Sequence, residues 1–147
     1  LAGQFYERIS AEVETPLTVT ALAIDDGENH AVLCSCDLTQ IHDGLIAEVR
    51  NRIADVNGLD PKMVIIGATH THTSYLYKVS RAPKAGFAEK IKTRLPEGRK
   101  YIDHVSGESM DPFKAGEIIA DAITNAIKQN NRSSIFFPPK VCFCPSL

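Results

Sequence analysis

The stretch that most constrains the fold is residues 62–75, which read KMVIIGATHTHTSY. The apolar, β-branched run at residues 63–66 predicts a buried strand, and a polar segment with His70 and His72 follows it directly. Ligands of open α/β sheets collect beyond the carboxyl ends of the strands, so this segment is a candidate site.

Side chains alternate along an extended segment, which predicts that His70 and His72 leave the backbone on the same side. Either both imidazoles bind zinc, or one binds zinc while the other handles a proton. Two neighbouring histidines also occur in ordinary loops, so the spacing by itself is a weak indicator of a site.

The first half of the chain predicts a hairpin followed by a crossover. Residues 17–24 and 31–36 form two β-branched-rich runs around a polar turn, which indicates an antiparallel pair. Residues 43–56 carry an amphipathic stripe with Asp43 as the expected N-cap, and the strand at residues 63–66 comes next. We therefore expect an α/β fold: a mixed β-sheet with an N-terminal hairpin, a strand–helix–strand crossover and flanking helices.

Asp37 directly follows the second strand, at the edge of the sheet where His70 and His72 are expected. An aspartate in this position caps a helix or a loop, orients a histidine, or binds the metal. The hydroxyls of Thr69 and Thr71 flank His70 and are further candidates for orienting the site.

The second half of the chain is less regular. Residues 76–110 are polar and basic and make a long connection, which is typical of a lid, a binding loop or a partly disordered segment. Residues 111–130 predict a second amphipathic helix with Asp111 as N-cap, and residues 133–137 a last strand. We expect one α/β domain over residues 1–137 and an irregular tail over residues 138–147.

Composition narrows the function classes. The chain has 147 residues, 44% hydrophobic and 23% charged, with a formal net charge of -2, which gives no bias toward nucleic acid. No apolar run reaches the length of a membrane-spanning helix.

Two residue types outside the histidine segment also have expected roles. Cys34 and Cys36 alternate within a strand and are expected to be unreactive core thiols. Arg8, in the irregular entry segment, is expected to be solvated, although it could face a site.

Several ordered motifs over residues 1–137 resemble the start of the neutral/alkaline non-lysosomal ceramidase family. They are TPLTVTALAIDDG, then VLCSCDLTQI with its strand ending in Ser-x-Asp-Leu, and then PKMVIIGATHTHTSY. The Ala-Thr-His-Thr-His segment is the most recognisable family motif, and the helix at residues 111–130 matches in kind.

This resemblance implies a zinc-dependent amidase that hydrolyses the N-acyl bond of ceramide or a related lipid amide. His70 maps to a zinc ligand, and His72 maps to the catalytic residue that handles the substrate or a proton. In such a site zinc acts as a Lewis acid on the amide carbonyl and lowers the pKa of water. Family members are often secreted or periplasmic, and the sequence leaves the compartment open.

The chain departs from the family in two ways. The family continues the motif with Ser-Gly-Pro or Thr-Gly-Pro, whereas this chain has Thr73, Ser74 and Tyr75. The other zinc ligands of the family, a His, a Glu and a Tyr, come from later segments, and His104 matches none of these contexts. We therefore expect an incomplete active site. The alternative is a non-catalytic α/β fragment or interaction module, and an uncovered sheet edge predicts a homo-oligomer.

Overall fold

The computed structural model describes residues 1–6, 8–79, 94–99, 109–132 and 140–143. It confirms an α/β fold with a mixed sheet whose strands are ordered β3-β2-β1-β4. In chain order, the elements are β1 (Val19–Asp25), β2 (His30–Cys36), α1 (Asp43–Arg52), a 3-10 turn (Pro61–Met63), β3 (Val64–Ala68), α2 (Pro112–Arg132) and β4 (Lys140–Phe143).

The first three strands have the predicted relationships. β1 and β2 are antiparallel, with Val19 opposite Cys36. β2 and β3 are parallel, with Cys36 opposite Ala68, and α1 lies between them in the chain. Because these two residues end their strands side by side, the segments that follow β2 and β3 emerge at the same edge of the sheet.

One face of the sheet carries the core. α2 packs against β1, β2 and α1, and the apolar cluster includes Val32, Val49 and Ile123, each fully buried. Cys34 and Cys36 point into this cluster, as the alternation predicted, and both are free thiols. Burial raises the pKa of both thiols to about 12, so they stay protonated in the folded protein.

The two helices begin and end slightly differently from the prediction. α1 has His42 at its N-cap, with no side-chain cap, so the expectation that Asp43 is the cap was wrong. α1 also ends at Arg52 rather than at residue 56, because the next residues make short-range turn bonds such as Val56 N–H to Ile53 O. Asp111 does cap α2, since its carboxylate accepts the N–H of Phe113 at 2.8 Å.

β4 lies in the tail that was predicted to be irregular. Lys140–Phe143 pairs antiparallel with β1, with Phe143 opposite Leu22. The prediction was wrong here because it considered only local pattern, whereas β1 offers a free row of backbone donors and acceptors on its outer side. The strand expected at residues 133–137 lies outside the described residues.

Within the described ranges, neither helix combines the length and the hydropathy that a bilayer crossing requires.

Candidate functional site

The candidate site forms where β2 and β3 end. Thr69 N–H donates to the carbonyl of Cys36 at 2.9 Å, which continues the parallel pairing by one more bond. Asp37 and Thr69 then stand next to each other on the two strands, and the histidine segment follows Thr69 directly. The sequence prediction that Asp37 and the histidines share one edge of the sheet agrees with this placement.

The Asp37 carboxylate joins three segments of chain. Its Oδ2 atom accepts the Thr18 hydroxyl at 2.7 Å and the Thr18 N–H at 3.0 Å, and its Oδ1 atom accepts the Thr69 hydroxyl at 3.2 Å. These donors, the Thr18 hydroxyl foremost, hold the pKa of Asp37 below its usual value. In the structure, Asp37 therefore ties the entry to β1 to the exit from β3, and it orients Thr69.

Thr39 holds the histidine loop, and the sequence analysis missed its role. Its carbonyl accepts the Nδ1–H of His70 at 2.6 Å, and its hydroxyl donates to the carbonyl of Thr71 at 2.9 Å. Its N–H donates to the Oγ atom of Ser74 at 3.2 Å, and Ser74 is completely buried. A single residue after β2 thus fixes three positions of the loop after β3.

His70 adopts an unusual backbone conformation. Its φ of 64° lies in the left-handed region, and it is the one residue other than glycine with a positive φ in the described part of the chain. This conformation costs about 1–3 kcal/mol in a residue that carries a Cβ, and it occurs where the surroundings fix it, often at functional sites. The bond to Thr39 is one such constraint on His70.

The imidazoles of His70 and His72 converge. Their Nε2 atoms are 3.4 Å apart, and their ring centroids are 5.0 Å apart with the planes at 78°. The predicted convergence is therefore present, but its predicted cause was wrong. The segment turns at His70 and again at His72 and Thr73, so a turn, and not the alternation of an extended strand, brings the rings together.

The distance between the two Nε2 atoms matches that of two zinc ligands, and it also matches a long N–H···N hydrogen bond between the rings. Two nitrogens bound at about 2.0–2.1 Å to a tetrahedral zinc lie about 3.3–3.4 Å apart. The bond from Nδ1–H of His70 to Thr39 leaves the Nε2 lone pair of His70 available, which is the usual arrangement behind a metal-binding histidine. Among the described residues, no group of three or more His, Cys, Asp or Glu side chains converges, and His104 lies outside them.

The threonine next to the pair has a local role. Thr71 exchanges a hydrogen bond with the Thr73 hydroxyl at 2.8 Å, while its carbonyl accepts from Thr39. Together with Thr69, it shapes the loop, because both hydroxyls bond to other side-chain oxygens. Thr69 and Thr71 therefore lie where the sequence placed them, and each of their hydroxyls stabilises the backbone path that carries His70.

The N-terminal segment also lies on the histidine loop. The N–H of Ala2 donates to the carbonyl of Ser74 at 2.8 Å, and the Arg8 guanidinium donates to the carbonyls of both Ala2 and His72. The expectation that Arg8 is solvated was wrong, because these backbone carbonyls lie within reach of its planar donor group. No local signal in residues 1–8 indicates this contact, which spans 64 residues of sequence.

Tyr77 fixes the start of α1 beside the site. Its hydroxyl donates to the carbonyl of Gln40 at 2.9 Å and accepts the N–H of His42 at 3.2 Å. Burial raises the pKa of the Tyr77 phenol, which therefore stays protonated as a donor. Tyr77 thus holds the N-cap residue of α1, His42, in place.

Comparison of the chain with protein-family models, with curated proteins and with solved structures returns no match.

Proposed function

We propose that the chain carries the zinc-binding part of a ceramidase-like amide hydrolase, with His70 as a zinc ligand and His72 as the catalytic residue beside it. One observation carries this proposal. The Nε2 atoms of His70 and His72 are 3.4 Å apart while Thr39 holds the Nδ1–H of His70. This combination fixes which nitrogen of His70 faces the site.

Zinc bound here would polarise an amide carbonyl and make water a stronger nucleophile. The residues of the chain supply the setting. Thr39 fixes the tautomer of His70, and the position of His72 lets its Nε2 atom accept or return a proton within one site. Both histidines are exposed, so a substrate can reach them from solvent.

A lipid amide is the substrate class that we propose, either ceramide or a related N-acyl compound. Two exposed aromatic side chains in the neighbouring segments support this choice, since Phe5 is 53% exposed and Tyr75 is 41% exposed. Phe5 belongs to the segment that contacts the histidine loop, and Tyr75 follows that loop. Apolar surface beside a polar reaction centre suits a substrate with an acyl chain.

The loop that differs from the ceramidase motif has a structural role in this chain. Ser74 is completely buried and accepts the N–H of Thr39, while its own carbonyl accepts the N–H of Ala2. The residues after His72 are thereby anchored on both sides. This anchoring supports a stable histidine site.

The test is zinc binding by the purified chain, measured by metal analysis and calorimetric titration. We expect zinc to bind more weakly than at a complete site with three protein ligands, and this binding to be lost in His70→Ala. His30→Ala is the matched control, because His30 begins β2 at the opposite end of the strand and contacts the carbonyl of Gly58 at 3.3 Å. His72→Ala separates two roles: a variant that keeps zinc but does not release fatty acid from N-acyl substrates identifies His72 as the proton-handling residue.

Absence of zinc from the wild-type chain, or equal binding by wild type and His70→Ala, would contradict the proposal. That result would favour the alternative, a non-catalytic α/β module. The outer face of the sheet favours this alternative, because Leu33 pairs with Ile65 and the two are 37% and 62% exposed. Among the described strands, β3 also lies at an edge of the sheet, which suits association with a second copy. Sedimentation of the chain measures such association directly.

A further inference from the structure

The backbone of Gly3 lies directly against the imidazole of His72. A Cβ atom built on Gly3 would lie 2.4 Å from Cγ of His72 and 2.7 Å from both its Cβ and Nδ1 atoms. These separations are far below van der Waals contact, so only glycine permits this approach. The obstructing atoms include the root of the ring, which cannot move aside without moving the whole side chain.

The approach is fixed on both sides of the contact. Ala2 is buried, and its N–H is bonded to the carbonyl of Ser74, two residues after His72. Arg8 donates to the carbonyls of Ala2 and His72 and so joins the two segments a second time. Gly3 therefore cannot retreat from the ring unless these bonds break.

The ring of His72 is consequently held between two neighbours. Its Cβ–Cγ–Nδ1 side faces Gly3, and its Nε2 atom faces the Nε2 atom of His70 at 3.4 Å. A side chain at position 3 would push the ring at one end and shift its Nε2 atom at the other. The distance between the Nε2 atoms of His70 and His72 therefore depends on position 3 having no side chain.

We infer that Gly3 is a positioning residue for His72: its bare backbone lets the imidazole lie where its Nε2 atom meets that of His70. The catalytic consequence rests on the proposed function, whereas the position of the ring does not. Gly3 touches neither substrate nor metal in this account, and it acts through His72 alone.

The test compares Gly3→Ala with Gly27→Ala. Both glycines have a φ of +92°, so both substitutions place alanine in the same disfavoured φ region, but nothing lies within 4 Å of a Cβ atom at Gly27. Because His72 is the proton-handling residue of the proposed site, we expect Gly3→Ala to lower the release of fatty acid from N-acyl substrates about 10- to 100-fold while zinc stays bound through His70. Gly27→Ala should keep an activity within about twofold of wild type, since distant sites act independently.

A second measurement needs no metal. In the metal-free wild-type chain, we expect nuclear Overhauser contacts between the Gly3 α-protons and the ring protons of His72. Their absence would overturn the inference, and so would equal losses of activity in the two glycine variants. If the wild-type chain binds no zinc, the proposed function fails, and the Overhauser contacts alone decide the role of Gly3. They also decide it if Gly3→Ala does not fold.

Discussion

The two ends of the sheet are built in different ways. At the hairpin end, Asp25 accepts the N–H of Gly27, and Asp26 accepts the N–H groups of Glu28 and Asn29, so each of these turn bonds spans at most three residues. At the other end, the bonds that join the segments of the site have partners far apart in sequence.

The bonds at the site end span most of the described chain. Asp37 and Thr18 are 19 residues apart, Thr39 and Ser74 are 35 apart, and Arg8 contacts the carbonyl of a residue 64 positions away. A local turn forms whenever its own few residues adopt the right angles. The site end forms only when β1, β2, β3 and the N-terminal segment are already in register. The positions of His70 and His72 are therefore a property of the whole fold, and the hairpin turn is not.

The largest expected effect is that of Thr39→Val, which removes a hydroxyl from the site end. The variant leaves the Thr71 carbonyl without its donor and takes one partner from the buried Ser74 hydroxyl. We expect the free energy of unfolding to fall by about 1–3 kcal/mol, the cost of leaving partly buried polar groups unpaired. Zinc affinity should fall as well. Urea unfolding and zinc titration measure both.

The control for this change is Thr20→Val. Thr20 lies in β1, where valine is at least as well tolerated as threonine. Equal losses of stability in the two variants would show that the Thr39 hydroxyl has no special role, and the contrast between the two ends would then lose its strongest support.

A smaller effect is expected at Asp37, and it depends on pH. Donors from Thr18 and Thr69 favour the ionised carboxylate and lower its pKa, so its contribution to stability is present above the unfolded-state pKa, near 3.8. That contribution is lost as the pH falls through the still lower pKa of the folded state. Wild type should therefore be more stable than Asp37→Asn at neutral pH, and the difference should shrink below about pH 4.

Thr18→Val provides the check on this prediction. It removes the donor that contributes most to the lowered pKa of Asp37, so its own stability difference from wild type should shrink over the same pH range. Urea unfolding between neutral and acid pH measures both variants. A difference between wild type and Asp37→Asn that is constant with pH would contradict the assignment of the ionised carboxylate to this junction.

The same contrast explains what the sequence could predict. The hairpin, α1, β3 and the cap of α2 at Asp111 follow from local periodicity and turn chemistry, and the structure confirms them with small shifts at their ends. These elements depend on neighbours in the sequence. The convergence of His70 and His72 was also predicted, but from the alternation of an extended segment and not from the turn that produces it.

The remaining features depend on partners that no local pattern identifies. In the sequence, Thr39 resembles an ordinary loop threonine, and its role becomes visible only when β2 and β3 lie side by side. Gly3 likewise resembles a flexible entry residue, and its role becomes visible only from its contact with His72. β4 is a short apolar run next to prolines, and its pairing with β1 gives it its structure. In each case a bond or contact over long sequence distance decides the outcome.

The smallest expected effect is that of Asp26→Ala at the hairpin end. Asp26 is exposed, and its pKa is lowered chiefly by the N–H groups of Asn29 and Glu28 within its own turn. We expect a smaller loss of stability than in Thr39→Val and an unchanged zinc affinity, because no bond of this turn reaches the histidine loop. Asp26→Asn is the matched variant, since its amide oxygen still accepts the same N–H groups. A loss of zinc affinity in Asp26→Ala would mean that the two ends of the sheet are coupled through β2, and that the site depends on the turn as much as on its own long-range bonds.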